Sequence, residues 1–170
     1  MTPWPRNLSA LIADRASAGP DQPFGMVGSG QTLGSAFGVA ARAAATFASL
    51  GVGVGDRVAV IGTNSDAYLV DWLALQLAGA EPSLINPTYP SDLLRVMLAD
   101  LDPVAVVWVG PSVDVSACPG VTHIDARGIA EGRIVVNGSS GGLAGSASDL
   151  PGLGRAPSDG AGSMHTSGTT

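Results

Sequence analysis

Between Arg57 and Val109 the chain alternates between short β-branched runs and longer stretches with helical apolar spacing, and few folds accommodate that order. Arg57-Val58-Ala59-Val60-Ile61 is apolar and β-branched, as a strand buried on both faces would be. Asn64 or Ser65 offers a helix cap, and Asp66 places negative charge in the first turn. Helix is expected through Tyr68, Leu69, Trp72, Leu73, Leu75 and Leu77 as far as Gly79. Pro82 to Asn86 is a second, shorter strand, and Asn86-Pro87-Thr88-Tyr89-Pro90 a turn, because each proline restrains the residue before it. Ser91 is then expected to cap a helix with Leu93, Leu94, Met97, Leu98 and Leu101 on one face. Val104 to Val109 is a third strand and Val121 to Asp125 a fourth. Strand, helix, strand, helix, strand in units of this size implies α/β architecture: a mainly parallel sheet, right-handed crossovers and flanking helices. An all-antiparallel sheet would need hairpin turns where helices stand.

The flanks fit the same scheme. Asn7 to Arg15 has Leu8, Leu11 and Ile12 on one helical face. Phe24 to Val27 and Gln31 to Leu33 around Gly28-Ser29-Gly30 predict a hairpin. Thr32 then caps a helix whose Phe37, Ala40, Ala41, Ala44, Phe47 and Ala48 keep apolar spacing until Gly51 stops it. Residues 137–163 hold eight glycines and six serines and are expected to be a flexible surface connection. The expected organisation is an incomplete α/β unit over 1–136, this connection over 137–163, and a distinct terminal segment over 164–170.

Composition narrows the function classes. Hydrophobic residues make up 45% of the 170 and charged ones 13%, which suits one domain with a real core. The net charge is −6, all eight basic residues are arginine, and they form no run. A nucleic-acid partner is therefore not expected. A polyanion such as ATP would need backbone amides, a helix amino-terminus or Mg²⁺ to offset its charge. Cys118 stands alone and is read as an incidental thiol. The start lacks a basic n-region and an apolar h-region, and no apolar stretch approaches the roughly 20 residues of a membrane span. Cytoplasmic residence is the expectation.

Several motifs lose to plainer readings. Gly51-Val52-Gly53-Val54-Gly55-Asp56 lies after a helix and before a strand, the reverse of a dinucleotide fingerprint, and is read as a turn. A chain without lysine contains no Walker A loop. His123 and His165 are far apart with no ligand spacing around them, so no metal site is expected. Asp100 and Asp102 flank a helix end and a proline and are read as solvated. Thr166-Ser167-Gly168-Thr169-Thr170 can wrap phosphate oxygens, with inward backbone N–H groups, hydroxyl donors and no Cβ at the glycine. A polar tail would have the same composition.

Four blocks in order supply context. Gln31-Thr32-Leu33, Gly51 to Ile61, Ala74 to Ala80 with Leu84 to Pro90, and Met164 to Thr170 resemble segments of the adenylate-forming superfamily of acyl-CoA synthetases, luciferases and peptide-synthetase adenylation domains. The resemblance runs from about residue 20 to Thr170. It implies ATP-phosphate binding by Thr166, Ser167, Gly168, Thr169 and Thr170, and in a full-length member ATP, Mg²⁺, CoA and a small carboxylate such as a fatty acid. No catalytic residue is expected within the chain. The lysine of the family's phosphate loop, its ribose and metal ligands and its mobile carboxyl-terminal domain would come later, so the piece alone is expected to be inactive. Glu81, Ser83 and His165 depart from the pattern, Gly160 and Gly162 weaken the strand expected before the loop, and Ser35 replaces a capping-box glutamate, an expected loss of one helix-end contact. The NPTYP block points to a fatty-acid-type ligase. The alternative is a non-catalytic binding or assembly module derived from such an enzyme. A truncated piece should expose apolar surface and self-associate.

Overall fold

Asn7 opens the first helix of the computed structural model, which describes residues 7–110, 121–143, 150 and 163–164. Its side-chain oxygen accepts from the Ala10 N–H at 2.8 Å, so α1 (Leu8–Ala18) begins capped. The expected hairpin before α2 (Leu33–Ser49) shrinks to one antiparallel bridge between Pro23 and Thr32, with the Phe24 N–H donating to the Gln31 carbonyl. Gly25, Gly28 and Gly30 all take positive φ and curl the intervening chain out of strand geometry. Met26 and Val27 are both exposed, so burial does not hold a second strand there. The capping box at α2 is intact after all. Thr32 Oγ1 accepts from the Ser35 N–H at 3.3 Å, and Ser35 Oγ accepts from the Thr32 N–H at 3.1 Å. A serine hydroxyl reaches back as the glutamate would.

β1 (Arg57–Gly62), α3 (Asp66–Ala78), β2 (Glu81–Ile85), α4 (Ser91–Leu101) and β3 (Ala105–Val109) follow in the expected alternation. Ser65 is the cap of α3, accepting from the Tyr68 N–H at 3.2 Å, and Gly79 ends the helix with φ 85°. Ser91 is not the cap of α4. Pro90 occupies that place in extended geometry, its carbonyl accepting from the Leu94 N–H, and Ser91 is the first helical residue. β4 (Thr122–Asp125) joins β3 in parallel, and a 3-10 turn at Ile129–Glu131 leads to β5 (Arg133–Val136). Ser139–Gly142, expected to be irregular, forms β6, joined to β5 through Asn137 (φ 47°) and Gly138 (φ 85°). An Asn-Gly pair with both residues left-handed is the preferred tight hairpin turn. Its signal was present, but the glycine and serine content around it masked it.

The sheet order is β6-β5-β4-β3-β1-β2-β7, where β7 is Ser163–Met164. Pairings from β4 through to β7 are parallel, and only β4–β5 and β5–β6 are antiparallel. β7 stands where a strand was expected before the terminal segment, while Gly160 and Gly162 lie outside the described residues.

Burial explains why the central strands are apolar throughout. Val58 and Val60 of β1 face a core shared with Ala40, Ala44 and Phe47 of α2 and Leu73 and Leu77 of α3. Ala59 and Ile61 face a second core with Leu94, Leu98 and Leu101 of α4 and with Val106 and Trp108 of β3. Alternate residues are thus buried on opposite faces, as doubly covered parallel strands require. The described residues put three helices on one side and α4 on the other.

Candidate functional site

Parallel strands all point their carboxyl ends to one edge, and in open α/β sheets ligands collect there. At this edge β1 ends in Gly62-Thr63-Asn64-Ser65, β2 in Asn86-Pro87-Thr88, β3 in Gly110, β4 in Asp125-Ala126-Arg127 and β7 in Met164. A Cβ on Gly62 would stand 2.2 Å from the Val109 carbonyl oxygen, so only glycine allows β1 and β3 to close so tightly. The Thr63 N–H donates to that same carbonyl at 3.2 Å. Asn86 Oδ1 accepts from both the backbone N–H and the hydroxyl of Thr88, at 2.9 and 2.8 Å, which turns the chain away from the sheet after Ile85. That bond explains why β2 stops one residue before the expected Asn86.

Charge at the edge is concentrated at β4. Arg127 Nε donates to Asp125 Oδ1 at 2.8 Å and Nη2 to Oδ2, a two-pronged clasp. The hydrogen bond from Arg127 holds the Asp125 carboxyl below its ordinary range, against a smaller opposing effect of burial. Asp125, Arg127, Glu131 and Arg133 line a surface cavity of about 420 Å³. Each arginine there lies beside an acid, Arg133 at 3.9 Å from Glu131, so the cavity offers no unpaired cation to a phosphate.

Two buried ionisable groups stand out on α3. Tyr68 is pushed up to about 12 by burial, and its hydroxyl donates to the Val60 carbonyl at 3.4 Å. Asp71 is completely buried, with no hydrogen-bond partner for either carboxyl oxygen among the described residues. Burial above all, and then the negative charge of Asp125, raise it far above a normal carboxyl. Sequence reading passed over Asp71. Its signal was an acid whose helical neighbours one turn away, Ala67, Tyr68, Ala74 and Leu75, are all apolar or aromatic.

The expected phosphate-binding residues Thr166, Ser167, Gly168, Thr169 and Thr170 lie outside the described residues, as do His165 and Cys118. What is described is their approach: β7 runs parallel to β2, with Ser83 opposite Ser163 and Leu84 opposite Met164. His123 is a strand residue of β4, its backbone N–H bound to Asn137 Oδ1 at 2.9 Å. Asp102 is the left-handed cap of α4 and lies 3.7 Å from Arg57. Among the described residues no group of three or more His, Cys, Asp or Glu could hold a metal ion, and no helix is long and apolar enough to cross a membrane.

A family model described as AMP-binding enzyme matches residues 14–170. No curated protein is similar in sequence. Solved structures share the fold. The inhibitor-bound amino-terminal domain of FACL13 from Mycobacterium tuberculosis is 22% identical at a TM-score of 0.61, over 69% of this chain and 32% of that one. O-succinylbenzoate coenzyme A synthetase (MenE) from Bacillus subtilis, in complex with AMP, is 19% identical at 0.63, over 71% and 32%. IdnL1 is 18% identical at 0.67, over 83% and 28%. The chain thus spans about a third of the length of these structures.

Proposed function

We propose, because this chain belongs to the AMP-binding enzyme family, that it is the amino-terminal portion of an ATP-dependent acyl-CoA synthetase acting on fatty acids. In that reaction a carboxylate oxygen attacks the α-phosphorus of ATP and expels pyrophosphate. The thiol sulfur of CoA then attacks the acyl carbon, its proton is lost, and AMP leaves. The role assigned to this chain is phosphate capture. Backbone N–H groups and hydroxyls of Thr166, Ser167, Gly168, Thr169 and Thr170 would surround the phosphate oxygens.

One observation carries the reading. β7 lies parallel to β2, so Met164 ends at the carboxyl edge, and the hydroxyl-rich residues follow it directly in sequence.

Carboxylate-dependent exchange of pyrophosphate into ATP is the assay. The 170-residue chain should give none: it contains no lysine and spans about a third of the similar structures. Exchange above a carboxylate-free blank would overturn that part. Fused to the remainder of a full-length enzyme it should support fatty-acid-dependent exchange, and Thr169→Val should lower the rate by about ten- to a hundredfold. An unchanged rate in that variant would remove the phosphate role from the segment. Adenylate formation without CoA thioester would reassign the acceptor.

A further inference from the structure

Asp71 sits in the second turn of α3, the helix that packs on α1, α2, β2 and the 3-10 turn at Ile129–Glu131. It is 0% exposed, and neither oxygen has a hydrogen-bond partner among the described residues. A desolvated carboxylate without donors is so costly that the group keeps its proton instead. The elements around α3 carry several other charges. Arg42 of α2 is exposed, Arg15 of α1 bonds Gln22, and Glu131 lies beside Arg133. Asp14 of α1 is exposed, and Glu81 heads β2. On α3 itself Asp66 accepts from the Met26 N–H at 2.5 Å, and Tyr68 is bonded to Val60. The charge that bears on Asp71 is that of Asp125, and it is repulsive.

We infer that Asp71 is a proton-held latch: the protonated carboxyl lies sealed among the elements packed on α3, and loss of its proton to solvent loosens the amino-terminal half of the helix. That half carries Asp66, the anchor of the Met26 loop, so the loop is released with it. Gly25 ties the two further, since a Cβ there would meet Asp66 Oδ1 at 2.3 Å.

The sign follows from proton uptake. The folded chain holds this proton to higher pH than the unfolded chain, whose carboxyl titrates at about 3.9. Stability contributed by the sealed acid is therefore complete below that value. It falls as pH rises through the raised folded-state pKa, and is flat again above it. Tyr68, shifted to about 12, stays protonated across the neutral range.

Amide hydrogen exchange on the 170-residue chain, corrected for the intrinsic pH dependence of exchange, tests this between about pH 5 and pH 9. Protection at Met26 and at residues 66–72 should fall by about tenfold or more in the wild type and stay level in Asp71→Asn.

 Removing the Asp125 charge lowers the Asp71 pKa, so in Asp125→Asn the fall in protection is expected at lower pH than in the wild type. Parallel loss of protection in wild type and Asp71→Asn would overturn the latch. A ¹³C titration placing the Asp71 carboxyl in the ordinary aspartate range would do so as well, and it decides the matter alone if Asp71→Asn does not fold.

Discussion

Gly62 closes β1 where any side chain would strike the Val109 carbonyl, with Val109 Cβ and Tyr68 also within 3.0 Å of the position. Backbone cannot rotate away as a flexible side chain can. Gly62→Ala should therefore cost about 1–3 kcal/mol of unfolding free energy, seen as a lower urea midpoint with unchanged m-value. At the other end of the edge, Asp125 owes its lowered pKa first to the Arg127 hydrogen bond. Its contribution to stability is present above the unfolded value of about 3.9 and is lost as pH falls through the folded pKa. Arg127→Ala should bring the Asp125 carboxyl back up toward its ordinary range in an NMR titration. The stability change should be small, because Arg127 is well solvated and Asp125 is only partly buried. Asp71 had a legible signal in its apolar helical neighbours, but total burial depends on the sheet and the turn beyond it, which one helix does not reveal.

At the scale of elements, the alternation from β1 to β3 was legible because parallel strands buried on both faces leave unbroken apolar runs. The failures were local: each turned on a single hydrogen bond or on a few residues of left-handed backbone. Ser91 has the right chemistry for a cap, yet the Pro90 carbonyl takes the first helical bond. Asn137-Gly138 carried a hairpin signal inside a segment whose glycine and serine content argued for a linker. Ser65 shows the case where chemistry and position agree. Ser65→Ala should destabilise by about 1 kcal/mol through loss of the Tyr68 N–H partner. Leu73→Ala, which empties a fully buried site on the same helix, should cost about 2–5 kcal/mol. Chemical denaturation of the two variants separates cap from core, and equal costs would contradict the packing described for α3.

For the whole molecule, the two faces of the sheet are unequally covered. Leu94, Leu98 and Leu101 of α4 turn inward, while Leu93 and Val96 of the same helix are exposed, Val96 by 65%, and Val104 is exposed just beyond it. A helix with one apolar stripe on the sheet and apolar residues on its outside offers a second apolar face for contact. The chain spans about a third of the similar structures, so further chain in such proteins is one source of cover. For the 170-residue chain in solution the available cover is a second copy. The net charge of −6 opposes association at low ionic strength, and salt screens that repulsion without weakening apolar contact. Sedimentation velocity should therefore show a weight-average mass that rises with concentration and rises further with salt. Val96→Glu with Leu93→Gln should abolish the rise while leaving the urea midpoint within about 0.5 kcal/mol of wild type, since neither side chain enters the core. A monomer at all concentrations, or association unaffected by the double substitution, would show that this face of α4 is not where copies meet.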